Sequence, residues 1–142
     1  MTRGHTLLEL TVVLLLLGLG GATMVAPARR QVDRAAVAGA REAVVGLFAL
    51  ARSEARLHGG ACLRLRAADG RVWVEAGGAT RSTLDLPGVF GVSLSIAGTE
   101  DDVSLLFDAL GIGRRASRTL DLTRGSASTT LVVAAYGRVE RR

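Results

Sequence analysis

Glu9 is the residue whose setting constrains this chain most, because it stands inside an apolar run that extends from Leu7 to Ala26. A carboxylate at the centre of such a run in a membrane is unfavourable by about 2.5–3.5 kcal/mol, and by less near an end, so it calls for a cationic partner. Two groups of arginines offer a different chemistry. Arg114, Arg115 and Arg118 lie close together, and Arg138, Arg141 and Arg142 form a basic tail after Gly137. Guanidinium groups pair well with phosphates, which makes nucleic acid a candidate partner. Against that, Glu140 interrupts the tail and Tyr136 is the only aromatic near it for a base to stack on. Cys62 is the only cysteine, which excludes an intramolecular disulfide and a cysteine-based zinc site; it reads as a small buried residue at a strand start. Glu100-Asp101-Asp102 lacks the alternating oxygen ligands of a calcium loop and reads as a solvated turn, so no metal is expected. His58 reads as a helix-end residue, no serine sits in a nucleophile elbow, and Gly111-Ile112-Gly113 is too short to cradle a phosphate. The chain is not expected to be an enzyme or to carry a cofactor.

These residues must be positioned by a few elements. Leu7 to Ala26 is 20 residues with one ionisable side chain, long enough at about 1.5 Å per helical residue to cross a bilayer core of roughly 30 Å. Three readings of the segment stand: a processed membrane helix, a plain anchor, and a cleaved secretory signal. Ala26-Pro27-Ala28 resembles a small-residue cleavage site, but its proline and Glu9 argue against the last. Arg3 in the short leader keeps the N-terminus cytoplasmic, while Arg29 and Arg30 on the far flank pull the other way. Beyond the apolar run, Val32, Ala36, Ala40, Val44, Leu47 and Ala51 recur at helical spacing, with Arg34, Arg41, Glu42, Arg52 and Glu54 on other faces. One long helix to about Leu57 is therefore expected, interrupted or bent around Gly18, Gly20, Gly21 and Pro27 and ended by Gly59 as a left-handed cap.

After Gly60 the period changes to alternation. Cys62 to Ala67 and Val72 to Ala76, joined by Asp69-Gly70, read as a hairpin with Leu63 and Leu65 on one face, Arg64 and Arg66 on the other, and Trp73 opposite Val72 and Val74. Further strands are expected at Ser82 to Leu86, Val89 to Ile96, Val103 to Phe107, Thr119 to Thr123 and Leu131 to Ala135. The fold class is α+β, a long N-terminal helix packed on antiparallel sheets. Its 142 residues, less the membrane segment, leave one modest domain. All 18 basic residues are arginine, and the net charge of +5 permits anionic partners without requiring them.

The leader ending at Gly4, followed by His5-Thr6-Leu7-Leu8-Glu9, resembles the type III signal of type IV prepilins and type II secretion pseudopilins. That resemblance implies cleavage between Gly4 and His5 by a prepilin peptidase, N-methylation of His5, and pairing of Glu9 with the N-terminal ammonium of a neighbouring subunit. His5 stands where the family usually has Phe. Further on, Ala51-Arg52-Ser53-Glu54-Ala55, Phe107-Asp108-Ala109-Leu110-Gly111, Thr119-Leu120-Asp121-Leu122 and Leu131 to Val139 look like the H-type minor pseudopilins of the GspH/FimT family and their FimU-like minor pilin relatives. The resemblance implies a type IV pilin-like fold with a leader at 1–4, a transmembrane and assembly helix at 5–28, and a periplasmic domain at 29–142, made of an amphipathic helix at 29–58 and sheets at 61–142. The implied role is a non-enzymatic subunit at or near the tip of a type II secretion pseudopilus, supporting protein export. Its implied place is the inner membrane, single-pass, with the C-terminal domain in the periplasm; its partners would be major and minor pseudopilins and the assembly platform. The alternative is a FimT/FimU-like minor type IV pilin that binds DNA during natural transformation, for which Gly137-Arg138-Val139 is similar to the start of an arginine-containing motif.

Overall fold

The computed structural model describes residues 7–98, 101–114, 117–134 and 139–141, the side chains at 17–27 and 141 excepted. Leu7–His58 form one continuous helix, α1, and Pro27 does not end it. Its C-terminal half carries the apolar stripe. Ala40, Val44, Leu47 and Ala51 are buried as their spacing requires, and Val37, Phe48 and Ala55 join them, whereas Val32 is 57% exposed. The wider face follows from packing against two sheets at once. Arg56 and His58 fall in the last turn, where cations suit the helix dipole, and Gly59 closes the helix with a φ of 78°.

The chain then forms β1 (Gly60–Arg66), β2 (Arg71–Ala76) and β3 (Ala79–Asp85), a short helix α2 (Leu86–Phe90), and β4 (Ser93–Ile96). It continues as β5 (Asp102–Asp108), β6 (Gly113–Arg114), β7 (Arg118–Arg124), β8 (Ala127–Val133) and β9 (Val139–Arg141). Among the described residues these strands make two sheets, ordered β3-β2-β1-β5-β6 and β4-β7-β8-β9, with antiparallel pairing throughout. The expected hairpin is present, with Leu63 opposite Val74, Leu65 opposite Val72, and Arg64 opposite Trp73. Its inner side chains are fully buried, and with Leu105, Phe107, Leu120, Leu122, Leu131 and Val133 they close a core between α1 and both sheets. This is the α+β architecture expected of the sequence.

One segment differs in kind. The strand expected over Val89 to Ile96 begins only at Ser93, because α2 occupies the preceding residues. Asp85 caps that helix by accepting the Gly88 N–H at 3.0 Å, Pro87 sits in its first turn, and Gly91 ends it at a φ of 64°. Leu86, expected at the end of a strand, is instead the buried anchor of α2. Gly70 lets α2 approach closely: a Cβ there would lie 2.5 Å from the Pro87 Cδ.

Candidate functional site

Gly4 and His5 lie outside the described residues, and Glu9 falls in the first turn of α1 on an exposed stretch. From Leu7 to Leu16 the large apolar side chains are 49–81% exposed, so no part of the globular domain covers them. Among the described residues no helix is long and apolar enough to cross a membrane. The expected span runs on through 17–27, whose side chains lie outside the description.

The arginine tail is placed only in part. Arg138 and Arg142 lie outside the described residues, as do Tyr136 and Gly137, but Arg141 belongs to β9, where it stands opposite Leu131, and Glu140 stands opposite Val132. Val139–Arg141 thus form an edge strand of the four-stranded sheet. Arg115 is also outside the description; Arg114 faces Asp108 at 3.7 Å, and Arg118 opens β7 opposite Val133. Of the six arginines in the two groups, only Arg114 and Arg118 have side chains among those described.

Cys62 departs from expectation. Leu63 and Leu65 point into the core, so the strand's period of two turns Cys62 outward, half-exposed between Glu75 of β2 and Leu106 of β5. Glu100 is outside the description. Asp102 opens β5 and pairs with Arg66 at 3.4 Å, and among the described residues no group of three or more His, Cys, Asp or Glu side chains could hold a metal.

His58 links the helix end to the first sheet. Its Nε2 lies 3.0 Å from Arg81 Nη2 and 3.3 Å from Glu54 Oε2, while Arg81 Nε donates to the Ala76 carbonyl at 3.1 Å. A guanidinium only donates, so neutral His58 accepts from Arg81, whereas protonated His58 would donate to Glu54 instead. The group fastens the β2–β3 turn to α1. At the same end of the domain Asp108 takes the N–H groups of Leu110 and Ile112 at 3.0 and 2.9 Å. The Ile112 N–H, seconded by Leu110 and Arg114 and opposed by partial desolvation, holds its carboxyl below the ordinary value.

The outer face of the five-stranded sheet carries Arg64, Arg66, Arg71 and Trp73, a cluster that the alternation around Leu63 and Leu65 implies once the strand pairing is known.

Neither a protein-family model nor a curated protein matches the chain. Among solved structures, the type IV minor pilin FimU of Pseudomonas aeruginosa matches in two crystal forms. The first aligns with a TM-score of 0.57 at 18% identity, covering 75% of this chain and 87% of FimU. The second gives 0.55 at 19%, covering 73% and 90%. The fold is type IV pilin-like. In this pilin-like chain the globular domain sits on the C-terminal half of α1, and the large apolar side chains of Leu7 to Leu16 are exposed.

Proposed function

We propose that the chain is a minor pilin-like assembly subunit, a non-enzymatic building block that a prepilin peptidase matures between Gly4 and His5, with methylation of His5. The observation that carries this reading is α1 itself: one helix whose second half is the spine of the domain core and whose first half exposes Leu7 to Leu16 around Glu9. An exposed apolar face of that extent marks a surface made for lipid or for other chains. In the proposed cycle the apolar half holds the subunit in the inner membrane, with the domain in the periplasm. On assembly the same half enters a helical bundle of neighbouring major and minor subunits, delivered by the inner-membrane platform. There Glu9 pairs with the N-terminal ammonium of an adjacent subunit, which sets register, because an ion pair in apolar surroundings offsets the desolvation of both charges.

Two filaments fit this role. The sequence motifs support a type II secretion pseudopilus, with the subunit near its tip. The likeness to FimU supports the second reading, a minor subunit of a type IV pilus, with DNA contact through Arg138, Arg141 and Arg142 as a further proposal. The deciding experiment is the intact mass of the protein recovered from the membranes of its host. A mass starting at His5, with or without a methyl group, is the expected result; an uncleaved chain or a start near Ala28 overturns the reading. Glu9→Ala should then leave cleavage intact and abolish incorporation, read by comparing membrane and sheared-filament fractions. Loss of exported enzymes on deletion separates the secretion role from loss of pili or of DNA uptake.

A further inference from the structure

Trp73 is the only tryptophan in the chain, and it sits half-buried at the centre of β2 on the outer face of the five-stranded sheet, opposite Arg64 of β1 and Thr83 of β3. Its indole is fixed by two contacts: Nε1–H donates to Glu75 Oε1 at 2.8 Å, and the Arg66 guanidinium carbon lies 5.1 Å from the ring centroid. Beside the ring opens a cleft of about 210 Å³, lined by Trp73, Arg66, Arg71, Thr80 and Thr83.

The charges on this face are paired rather than accumulated. Arg64 meets Glu75 at 3.2 Å, Arg66 meets Asp102 at 3.4 Å and Asp69 at 3.8 Å, and Arg71 meets Asp69 at 3.6 Å. Three arginines thus face three carboxylates, so a polyanion finds no net field to draw it in. What the cleft offers is a mixed set. The guanidinium groups of Arg66 and Arg71 donate, the hydroxyls of Thr80 and Thr83 donate and accept, the half-buried indole adds aromatic surface that Arg66 shares, and the carboxylates outside the cleft hold the guanidinium groups. The ion pairs are exposed and long, and such pairs are weak, so the guanidinium groups can turn toward a ligand at small cost. A ring with adjacent hydroxyls around its edge and a face of C–H bonds matches donors, acceptors and platform together.

We propose that the Trp73 cleft is a binding site for a neutral glycan, with one pyranose ring seated against the indole and its hydroxyls exchanging hydrogen bonds with Arg71, Arg66 and Thr83. The site lies on the sheet face, away from α1, and does not depend on which filament the chain joins.

The test uses the full chain in a detergent that has no sugar headgroup, with emission from the single tryptophan as the reporter. Titration with the neutral tetramers of N-acetylglucosamine and of glucose should give a saturable change with at least one of them, unaffected by added salt. Calorimetry on Trp73→Ala should show binding weakened about tenfold or more, the scale of a lost aromatic platform, and Arg71→Ala should weaken it in the same direction. Trp73→Phe, which keeps a ring, should retain most of the affinity and serves if the alanine variant fails to fold. The proposal is overturned if neither neutral tetramer gives a saturable response in the native chain. It is equally overturned if only oligogalacturonate or single-stranded DNA responds and salt abolishes the response, or if Trp73→Ala binds as tightly as the native chain.

Discussion

Asp108 shows how much of a turn one carboxylate can hold. Its Oδ1 accepts two backbone N–H groups across the β5–β6 turn, from Leu110 at 3.0 Å and Ile112 at 2.9 Å, while Oδ2 faces Arg114 at 3.7 Å. All three favour the ionised form, so the folded-state value lies below the ordinary 3.8. The sign of the linkage follows from that depression. The stabilisation is present above the unfolded-state value and disappears as pH falls through the lower folded-state value. Asp108→Asn removes this titration, so urea midpoints followed from about pH 5 down to about pH 2 should fall less steeply in the variant than in the native chain. Equal slopes would show that the turn does not depend on the ionised carboxylate. At the same scale, Cys62 illustrates why residue type is a weaker guide than phase. As a small apolar residue it suits a core, but Leu63 and Leu65 take the inner positions of β1, and the pleat leaves Cys62 no choice of side.

At the scale of elements, Arg124 ties three pieces together from the end of β7. Its Nε lies 3.2 Å from Asp33 Oδ1 on α1, and its Nη1 donates to the Phe90 carbonyl at the end of α2. The two charged side chains are 34% and 23% exposed, so solvent screens the ion pair and the carbonyl contact adds what a half-buried hydrogen bond adds. Arg124→Ala should therefore destabilise by about 1–2 kcal/mol, and a double-mutant cycle with Asp33→Ala should recover no more than about 1 kcal/mol as coupling. Denaturant midpoints of the four chains give both numbers, and an unchanged midpoint in Arg124→Ala would mean that the clasp is passive. Elements were legible in the sequence where a period could declare itself. The alternation of Leu63 with Leu65 and of Val72 with Val74 placed the hairpin, and the spacing of Ala40, Val44, Leu47 and Ala51 placed the helix face. Short elements were not legible on the same signal. In α2 the Asp85 cap and Pro87 outweigh the β propensity of Val89 and Phe90, β6 has two residues, and β9 exists by pairing with β8. Val37 and Phe48 are buried because two sheets meet α1, which no window along α1 reveals.

At the scale of the whole molecule, α1 divides into a part that belongs to the domain and a part that does not. Its buried residues run from Val37 to Ala55, Val32 is already 57% exposed, and the large apolar side chains of Leu7 to Leu16 touch nothing that would cover them. The domain core therefore gains nothing from Leu7 to Leu16, and a chain that begins at Ala28 should fold by itself. Its cost is electrostatic, because truncation places Arg29 and Arg30 in the first turn of a new helix, where cations oppose the dipole by about 0.3–1 kcal/mol each. The expected loss is thus under about 2 kcal/mol, screened by salt, and measurable as a small shift of the thermal midpoint. Phe48→Ala in the same shortened chain should cost more, about 3–5 kcal/mol, since that side chain is 1% exposed at the junction of helix and sheets. If the shortened chain were unfolded, the apolar half would have to be part of the folding unit. If it folds as argued, the apolar half can change its surroundings without disturbing the domain, which is the independence that the proposed assembly subunit requires.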